Sequence, residues 1–417
     1  MKVICAYNVN LDAVHNIKGN EIPEQISRLG IKPTLVLPEI ISSIDDFFSA
    51  LLFCMKTGSG TELLIDSPEV ARKIKGIFTW TDRLGGNAGN MANAMAAQGA
   101  EPVLNVPALT KKLALLLDPN IKIPKKGNLV PPVEAIRDAD GPVHFVLQFE
   151  KGAAANASGE RIVSPRENRL IATYDELNGR IYTDPDFDAY CRDNLDKVEG
   201  GLVGGFHLVP LSDFRKLLDR RIDQIGSWKE SRPDLFIHAE MGNFQRPEVM
   251  MYLLERLKSD SIGMNEDELA TIYSFEPGWR GVLGAAQDLH SKFEFVRICI
   301  HTRDYILSVI HDLISPDEEV ESLSYGADVA ANLVATGKIM KPLSGKINPV
   351  GASAVEEFYR SGAKRSGRGA YLRVNDENIC MVPSQLVTHP RITVGLGDVM
   401  TASVFYREVI SRHRLLQ

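Results

Sequence analysis

The sequence predicts an α/β protein: a doubly wound, mainly parallel sheet that carries a smaller, discontinuous, β-rich lid domain. Three observations predict it. From about residue 198, the apolar runs LVGGFHLV, DLFIHAE, SIGMNE and FVRICIH alternate with helical stretches. Their spacing of about 30 residues is what βαβ crossovers require. Second, residues 2–7 form a buried-strand pattern ending in the polar set Asn8, Asn10 and Asp12. Open α/β sheets bind ligands at such strand ends. Third, PVHFVLQF at 142–149 and RLIATY at 169–174 alternate in part, as strands with one exposed face do.

Taken in order, DDFFSALLFCMKT carries apolar residues at helical spacing and should stop near Gly58. Residues 77–81 read as a strand. LGGNAGN then opens a small-residue helix that ends at Gly99. The stretch between residues 150 and 168 is rich in small and turn residues and reads as a loop or flap. Residues 342–354, PLSGKINPVGASA, read as a connection. The predicted large domain takes residues 1–12, 84–141 and 183–417, and the lid takes 13–83 and 142–182.

Composition limits the function classes. A chain of 417 residues with 44% hydrophobic and 24% charged residues has ample material for a core, so disorder is excluded for its bulk. A net charge of −7 disfavours a general nucleic-acid binder. The five cysteines are scattered without a C-x-x-C pair, which argues for reduced thiols in a cytoplasmic protein. The N-terminus does not read as a signal peptide, and no apolar run is long enough to span a membrane.

Three groups of residues carry possible chemistry. In TVGLGDVMTASVF, a strand ending at Val394 meets Gly395, Leu396, Gly397 and Asp398, and a helix follows. Glycines allow close approach of a phosphate, and the helix N-terminus offers free N–H groups. Asp398 there can take a proton from an attacking hydroxyl; it also fits a simple N-cap. HAE and GMNEDE place His238, Glu240, Asn265 and Glu268 after strands. Carboxylates on one sheet edge suit hydrated Mg²⁺, although first-turn acids also favour a helix dipole. Finally, LGGNAGN with Asn10 and Asp12 offers donors and acceptors for a polyol, and equally fits a turn before a packed helix.

The series NVNLDAV, LGGNAGNMAN, VHFVLQFEKG, ENRLIA, HAEMGNFQ, GMNEDELA, ICIHTRDY and TVGLGDVMTASVF resembles the motif series of the archaeal ADP-dependent sugar kinases, the glucokinase and phosphofructokinase family of the ribokinase-like superfamily. The resemblance runs from residue 7 to about 405. It implies a ribokinase-like fold and a role in carbohydrate metabolism, with phosphate transfer from ADP to a sugar or sugar phosphate. Asp398 would be the base, with Gly395, Leu396 and Gly397 forming an anion hole. Glu240, Glu268 and Asp398 would surround Mg²⁺ or another divalent cation, directly or through waters. Asn10, Asp12, Glu62, Gly86, Asn87 and His144 would contact the sugar. Arg169, Asn265, His301, Thr302, Val382 and Gly397 would contact the nucleotide.

The implied partners are ADP and a small sugar or sugar phosphate, with no nucleic acid and no membrane, for a monomer or small homo-oligomer. Asn90 departs from the pattern, standing where an apolar residue is usual after GGNAG. Gly242 and Asn243 depart from it after HAE, and Lys151 and Arg161 in the flap are further candidates for a sugar phosphate. Two other functions fit the same residues: an ATP-dependent kinase of a nucleoside or vitamin, and a non-catalytic sugar or nucleotide sensor.

Overall fold

The computed structural model describes residues 1–417 apart from 19, 138–140, 158, 343–344, 389–390, 393 and 416–417. Its main element is a ten-stranded sheet. Six strands run parallel, in the order Glu101–Leu104, Lys2–Ala6, Gly200–Gly204, Phe236–Glu240, Ser261–Asn265 and Arg297–His301. Helices cover both faces, as the βα rhythm requires. On one face, Phe214–Ser231, Pro247–Leu254 and Trp279–Phe293 bury Leu218, Met250 and Ala286 against Val203, Ile237 and Ile262. On the other, Asn87–Ala97, Pro316–Thr336 and Leu396–Leu415 contribute Met91, Val329 and Phe405.

After His301 the rhythm breaks. The Thr302 hydroxyl accepts the N–H of Tyr305 at 3.0 Å and donates to the Tyr305 carbonyl at 2.8 Å. This closes a tight turn and lays Tyr305–Ile310 antiparallel to Arg297–His301. Glu377–Pro383, Gly369–Val374 and Lys364–Ser366 extend that edge, also antiparallel.

A second, five-stranded sheet has the order Thr61–Leu64, Asn168–Tyr174, Val143–Phe149, Asn10–Asn16, Thr81–Gly85. Phe145, Leu147, Leu170 and Ala172 point one way, against Phe48 and Leu52 of the helix Ile44–Thr57. That helix ends as expected, at Gly58 in a left-handed conformation. Strand alternation then puts Asp12, His144, Thr173, Arg169 and Glu62 on the opposite face. Strands Asn10–Asn16 and Thr81–Gly85 straddle the expected boundaries at residues 12–13 and 83–84, because each continues unbroken into the five-stranded sheet.

Four local expectations are corrected. The strand read at 77–81 lies at Thr81–Gly85; Phe78 and Trp80 instead join an aromatic cluster, with Phe78 stacked 4.6 Å from His15 and Trp80 5.1 Å from Phe145. The flap holds a hairpin, Ala154–Ala157 against Glu160–Val163. The connection read at 342–354 contains the start of the helix Pro349–Arg360, whose first turn is capped by the Asn348 side chain. Lastly, Val394 and Gly395 form a bend, not a strand end; Thr393 lies outside the described residues. Among the described residues, no helix is long and apolar enough to cross a membrane, and all five cysteines are buried and unpaired.

Candidate active site

The parallel strands end along one edge of the main sheet, and their C-terminal residues converge there. Glu240 is paired in register with Gly204 on one side and Gly263 on the other. Its carboxylate folds over Gly263, where a Cβ would come within 2.2 Å of Oε2. His238 and Glu240 lie within the strand rather than after it, on the same face, so His238 Nε2 reaches 3.3 Å from Glu240 Oε2. The Thr401 hydroxyl donates to the same oxygen at 2.9 Å, and His301 Nε2 stands 2.8 Å from Oε1.

Glu240 and His301 are therefore an ion pair. Burial works against the charge on each. It is outweighed on Glu240 by His301 and His238, which bring the carboxyl down to about 2. It is outweighed on His301 by Glu240 and Glu268, which lift the imidazole to about 9. Beneath the pair, His238 Nδ1 lies 2.8 Å from Ser261 Oγ, and the buried Arg297 donates to that hydroxyl at 3.4 Å. Arg297 is itself flanked by Glu319 at 2.9 Å and Glu408 at 2.6 Å. The polar chain thus reaches from the sheet edge into the core.

Asp398 occupies the first turn of the helix Leu396–Leu415. Gly395 has φ +73°, which favours glycine, and accepts the first helical hydrogen bond from Val399 at 3.1 Å. The N–H groups of Leu396, Gly397 and Asp398 are left without an intrahelical acceptor, which is the arrangement an anion needs. The Leu396 side chain packs towards the core, so its contribution is its backbone. Gly397 packs on His301, where a Cβ would lie 2.7 Å from the ring.

Asp398 accepts hydrogen bonds on both oxygens: from Asn87 at 2.6 Å on Oδ1 and from Asn90 at 2.9 Å on Oδ2. Burial and the charge of Glu240 push its pKa up, while the two amides pull the other way. Asn87, expected at the sugar, has its amide nitrogen on Asp398 in this structure. Gly86, at φ +83°, lets the chain turn into that helix beneath the Asn8 carbonyl.

Asn265 caps the short helix Glu266–Leu269. Its side chain accepts the Glu268 N–H at 2.9 Å, and Glu268 Oε2 accepts the Asn265 N–H at 2.9 Å. Glu268 is thus a first-turn acid, one of the two readings the sequence left open, and the structure adds that it closes a capping box. The box uses only one oxygen of Glu268, and burial lifts that carboxyl to about 7. Among the described residues no three ligands cluster closely enough to enclose a cation. Glu268 is the residue that would hold a divalent cation there, were most of its remaining ligands waters. Both oxygens of Glu240 are engaged by protein, so its share in holding a metal would pass through water.

The lid face completes the cleft. Asn10 donates to Asp12 at 2.7 Å. Burial lifts Asp12 to about 6. His144 lies between Asp175 at 3.0 Å and Glu62 at 3.6 Å. Burial opposes its charge, yet the two carboxylates raise it to about 9. Glu62 accepts from Thr173 at 2.8 Å and stands 3.7 Å from His207 of the main sheet's edge. Burial of Glu62 is overcome by His207 and His144, which hold it near 2. A cavity of about 330 Å³ opens at this seam between Glu62, His207, Phe244, Gln245 and Arg246. Arg169 shares the lid face with Asp12 and makes no side-chain ion pair with a described residue.

Two residues expected at the nucleotide have their side chains engaged within the protein. Val382 is wholly buried, paired with Ile306 inside a strand and packed with Val320 and Val404, so its side chain belongs to the core. Thr302 spends its hydroxyl on the turn described above. Sequence reasoning also missed Asp175, His207, Thr401 and the role of Asn90. His207 was within reach, because it follows the strand Gly200–Gly204 at the same sheet edge as Glu240.

Comparison with known proteins bears on this arrangement. A model of the ADP-specific phosphofructokinase/glucokinase conserved region matches residues 1–407. The chain is 26% identical to an ADP-specific phosphofructokinase of Pyrococcus abyssi, with 99% of each chain covered. It is also 26% identical to an ADP-dependent glucose/glucosamine kinase of the same organism, over 97% of this chain and 94% of that one. Among solved structures, an ADP-dependent kinase in complex with fructose-6-phosphate and ADPbetaS superposes with a TM-score of 0.82 at 21% identity, covering 98% of this chain and 93% of that one. A hypothetical ADP-dependent phosphofructokinase from Pyrococcus horikoshii gives 0.78 at 24% identity, covering 99% and 98%.

Proposed function

The chain belongs to the ADP-specific phosphofructokinase/glucokinase family, and from that premise we propose that it transfers the β-phosphate of ADP to a hydroxyl of a sugar or sugar phosphate, of the glucose or fructose 6-phosphate class, leaving AMP. The observation that carries the reading is Asp398. A carboxylate sits in the first turn of a helix whose free N–H groups face the same cleft, held on both oxygens by amides of the helix that opens with Gly86 and Asn87.

Phosphoryl transfer needs little covalent help; it needs alignment and compensation of charge. Asp398 would accept the proton of the attacking hydroxyl. The N–H groups of residues 396–398 would receive the negative charge on the transferred phosphate. Arg169 would approach the same phosphate from the lid. Asn10, Asp12, Glu62 and His144 would hold the acceptor, since the lid face offers both fixed donors and fixed acceptors. When bound, Mg²⁺ supplies charge neutralisation at the phosphates. Closing the five-stranded sheet on the main sheet would exclude water, which otherwise competes as acceptor.

The test is a panel of sugars and sugar phosphates assayed with ADP and Mg²⁺, reading AMP release. AMP formed from ADP with one acceptor class supports the reading. Turnover with ATP alone, or tight ligand binding without turnover, overturns it.

A further inference from the structure

The structure places Asn90 against the proposed base, with its amide nitrogen 2.9 Å from Asp398 Oδ2. We propose that Asn90 is a positioning residue: with Asn87 it forms an amide clamp that fixes the plane of the Asp398 carboxylate for proton acceptance. The inference rests on the reading of Asp398 as the base.

The geometry is local and specific. Asn87 and Asn90 stand three residues apart on one helix, so their side chains share a face. Their Nδ2 atoms lie 2.6 and 2.9 Å from the two oxygens of Asp398. A carboxylate only accepts, so both amides must present nitrogen. For Asn87 a second contact agrees: Asn8 Nδ2 donates to Asn87 Oδ1 at 3.3 Å, which leaves Asn87 Nδ2 for Asp398. Asn90 also touches the glycine turn, for a Cβ on Gly395 would lie 2.8 Å from Asn90 Nδ2. One amide therefore wedges between the base and the turn that forms the anion hole.

The clamp has a chemical consequence. Each carboxylate oxygen keeps a lone pair after accepting one N–H, so the base stays competent while its rotation is stopped. An apolar side chain at 90 would free Oδ2 and let the carboxylate swing about its χ2 bond, a broad and soft torsion. The clamp also ties the base to the helix Asn87–Ala97, so its carboxylate is held by one rigid element rather than by a loop.

The test uses Asn90→Leu and Asn90→Ala, each alone and combined with Asp398→Asn, in steady-state assays with ADP, Mg²⁺ and the best acceptor, with melting temperature as the check on folding. Expected is a fall in kcat of about tenfold or more, with KM for ADP and for the acceptor within about twofold of wild type. In the Asp398→Asn background neither substitution should lower the residual rate further. A well-folded Asn90→Leu or Asn90→Ala with wild-type kcat overturns the inference, as does an equal loss in the Asp398→Asn background. If Asp398→Asn alone retains normal kcat, the base assignment fails, and that result is separate from any failure of Asn90.

Discussion

Oε2 of Glu62, on the edge strand of the five-stranded sheet, lies 3.7 Å from Nε2 of His207 at the edge of the ten-stranded sheet. The same Glu62 accepts from Thr173 and faces His144, so one carboxylate links both sheets to a buried histidine. Gln245 donates to the Glu62 carbonyl, and Arg246 stands 3.5 Å from Glu39. The two sheets are therefore joined along this edge by polar contacts as well as by the apolar residues that line the seam.

The first prediction follows from the charges in that cluster. His144 is raised from 6.5 to about 9, so between those values the folded protein keeps a proton that the unfolded chain has released. Stability should fall as pH rises through that window, by at most about 1.4 kcal/mol per pH unit for one proton. Glu62 is lowered from 4.5 to about 2, so its contribution should be lost as pH falls through that range. Urea midpoints at pH 6.5, 7.5 and 8.5 measure the alkaline limb. His301 is raised over the same range, so His144→Gln should make the limb shallower, by about half; an identical slope in the variant removes His144 from the account.

The second concerns proton transfer. Asp398→Asn keeps shape but removes the acceptor, and a general base contributes about 10²–10⁴-fold. We expect kcat to fall by at least about two orders while ADP affinity, measured calorimetrically, changes little. A near-normal kcat would show that another group takes the proton.

The third separates two acids that look alike in sequence. Among the described residues only one oxygen of Glu268 has a protein hydrogen-bond partner, whereas Glu240 is engaged by His301, Thr401 and His238. Glu268→Gln should raise the Mg²⁺ concentration needed for half-maximal activity and leave the melting temperature close to wild type. Glu240→Gln strips the His301 imidazolium of its partner, and breaking a buried pair costs about 3 kcal/mol or more. Its main effect should be on stability. Equal melting temperatures in the two variants would contradict this division.

Much of this site was legible because its parts are short and local. A glycine turn before Asp398, and acids at Glu240 and Glu268 beside strand ends, are patterns that neighbouring residues define. Contacts between distant segments were not legible. Nothing near Asn90 says that its amide meets Asp398 308 positions away. The antiparallel half of the main sheet was missed because one hydroxyl, that of Thr302, replaces a crossover with a turn. That the Val382 side chain is buried was not legible either, because in a strand buried on both faces the sequence pattern does not tell which side chains reach the edge.

The last prediction concerns Arg169. It lies on the strand Asn168–Tyr174, on the lid face that carries Asp12 and His144, with its backbone paired to Gln148. Most cations in this cleft already have partners: His301 has Glu240, and His144 has Asp175 and Glu62. Arg169 forms no salt bridge with a described residue, and its charge acts on the Asp12 carboxyl of the same face, which makes it the cation a ligand phosphate would engage. A charge-assisted hydrogen bond contributes roughly 1.5–3 kcal/mol. If Arg169 meets the terminal phosphate of ADP as the lid closes, Arg169→Ala should lower kcat/KM for ADP by about tenfold or more. AMP lacks that phosphate, so its inhibition constant should change far less. Arg169→Lys keeps the charge but not the planar fork, and should recover only part of the loss. Solution scattering should show the wild type becoming more compact with acceptor and a nucleotide analogue, and the variant less so. A loss of under about threefold in Arg169→Ala would place the phosphate clamp elsewhere, as would an equal loss of affinity for ADP and AMP.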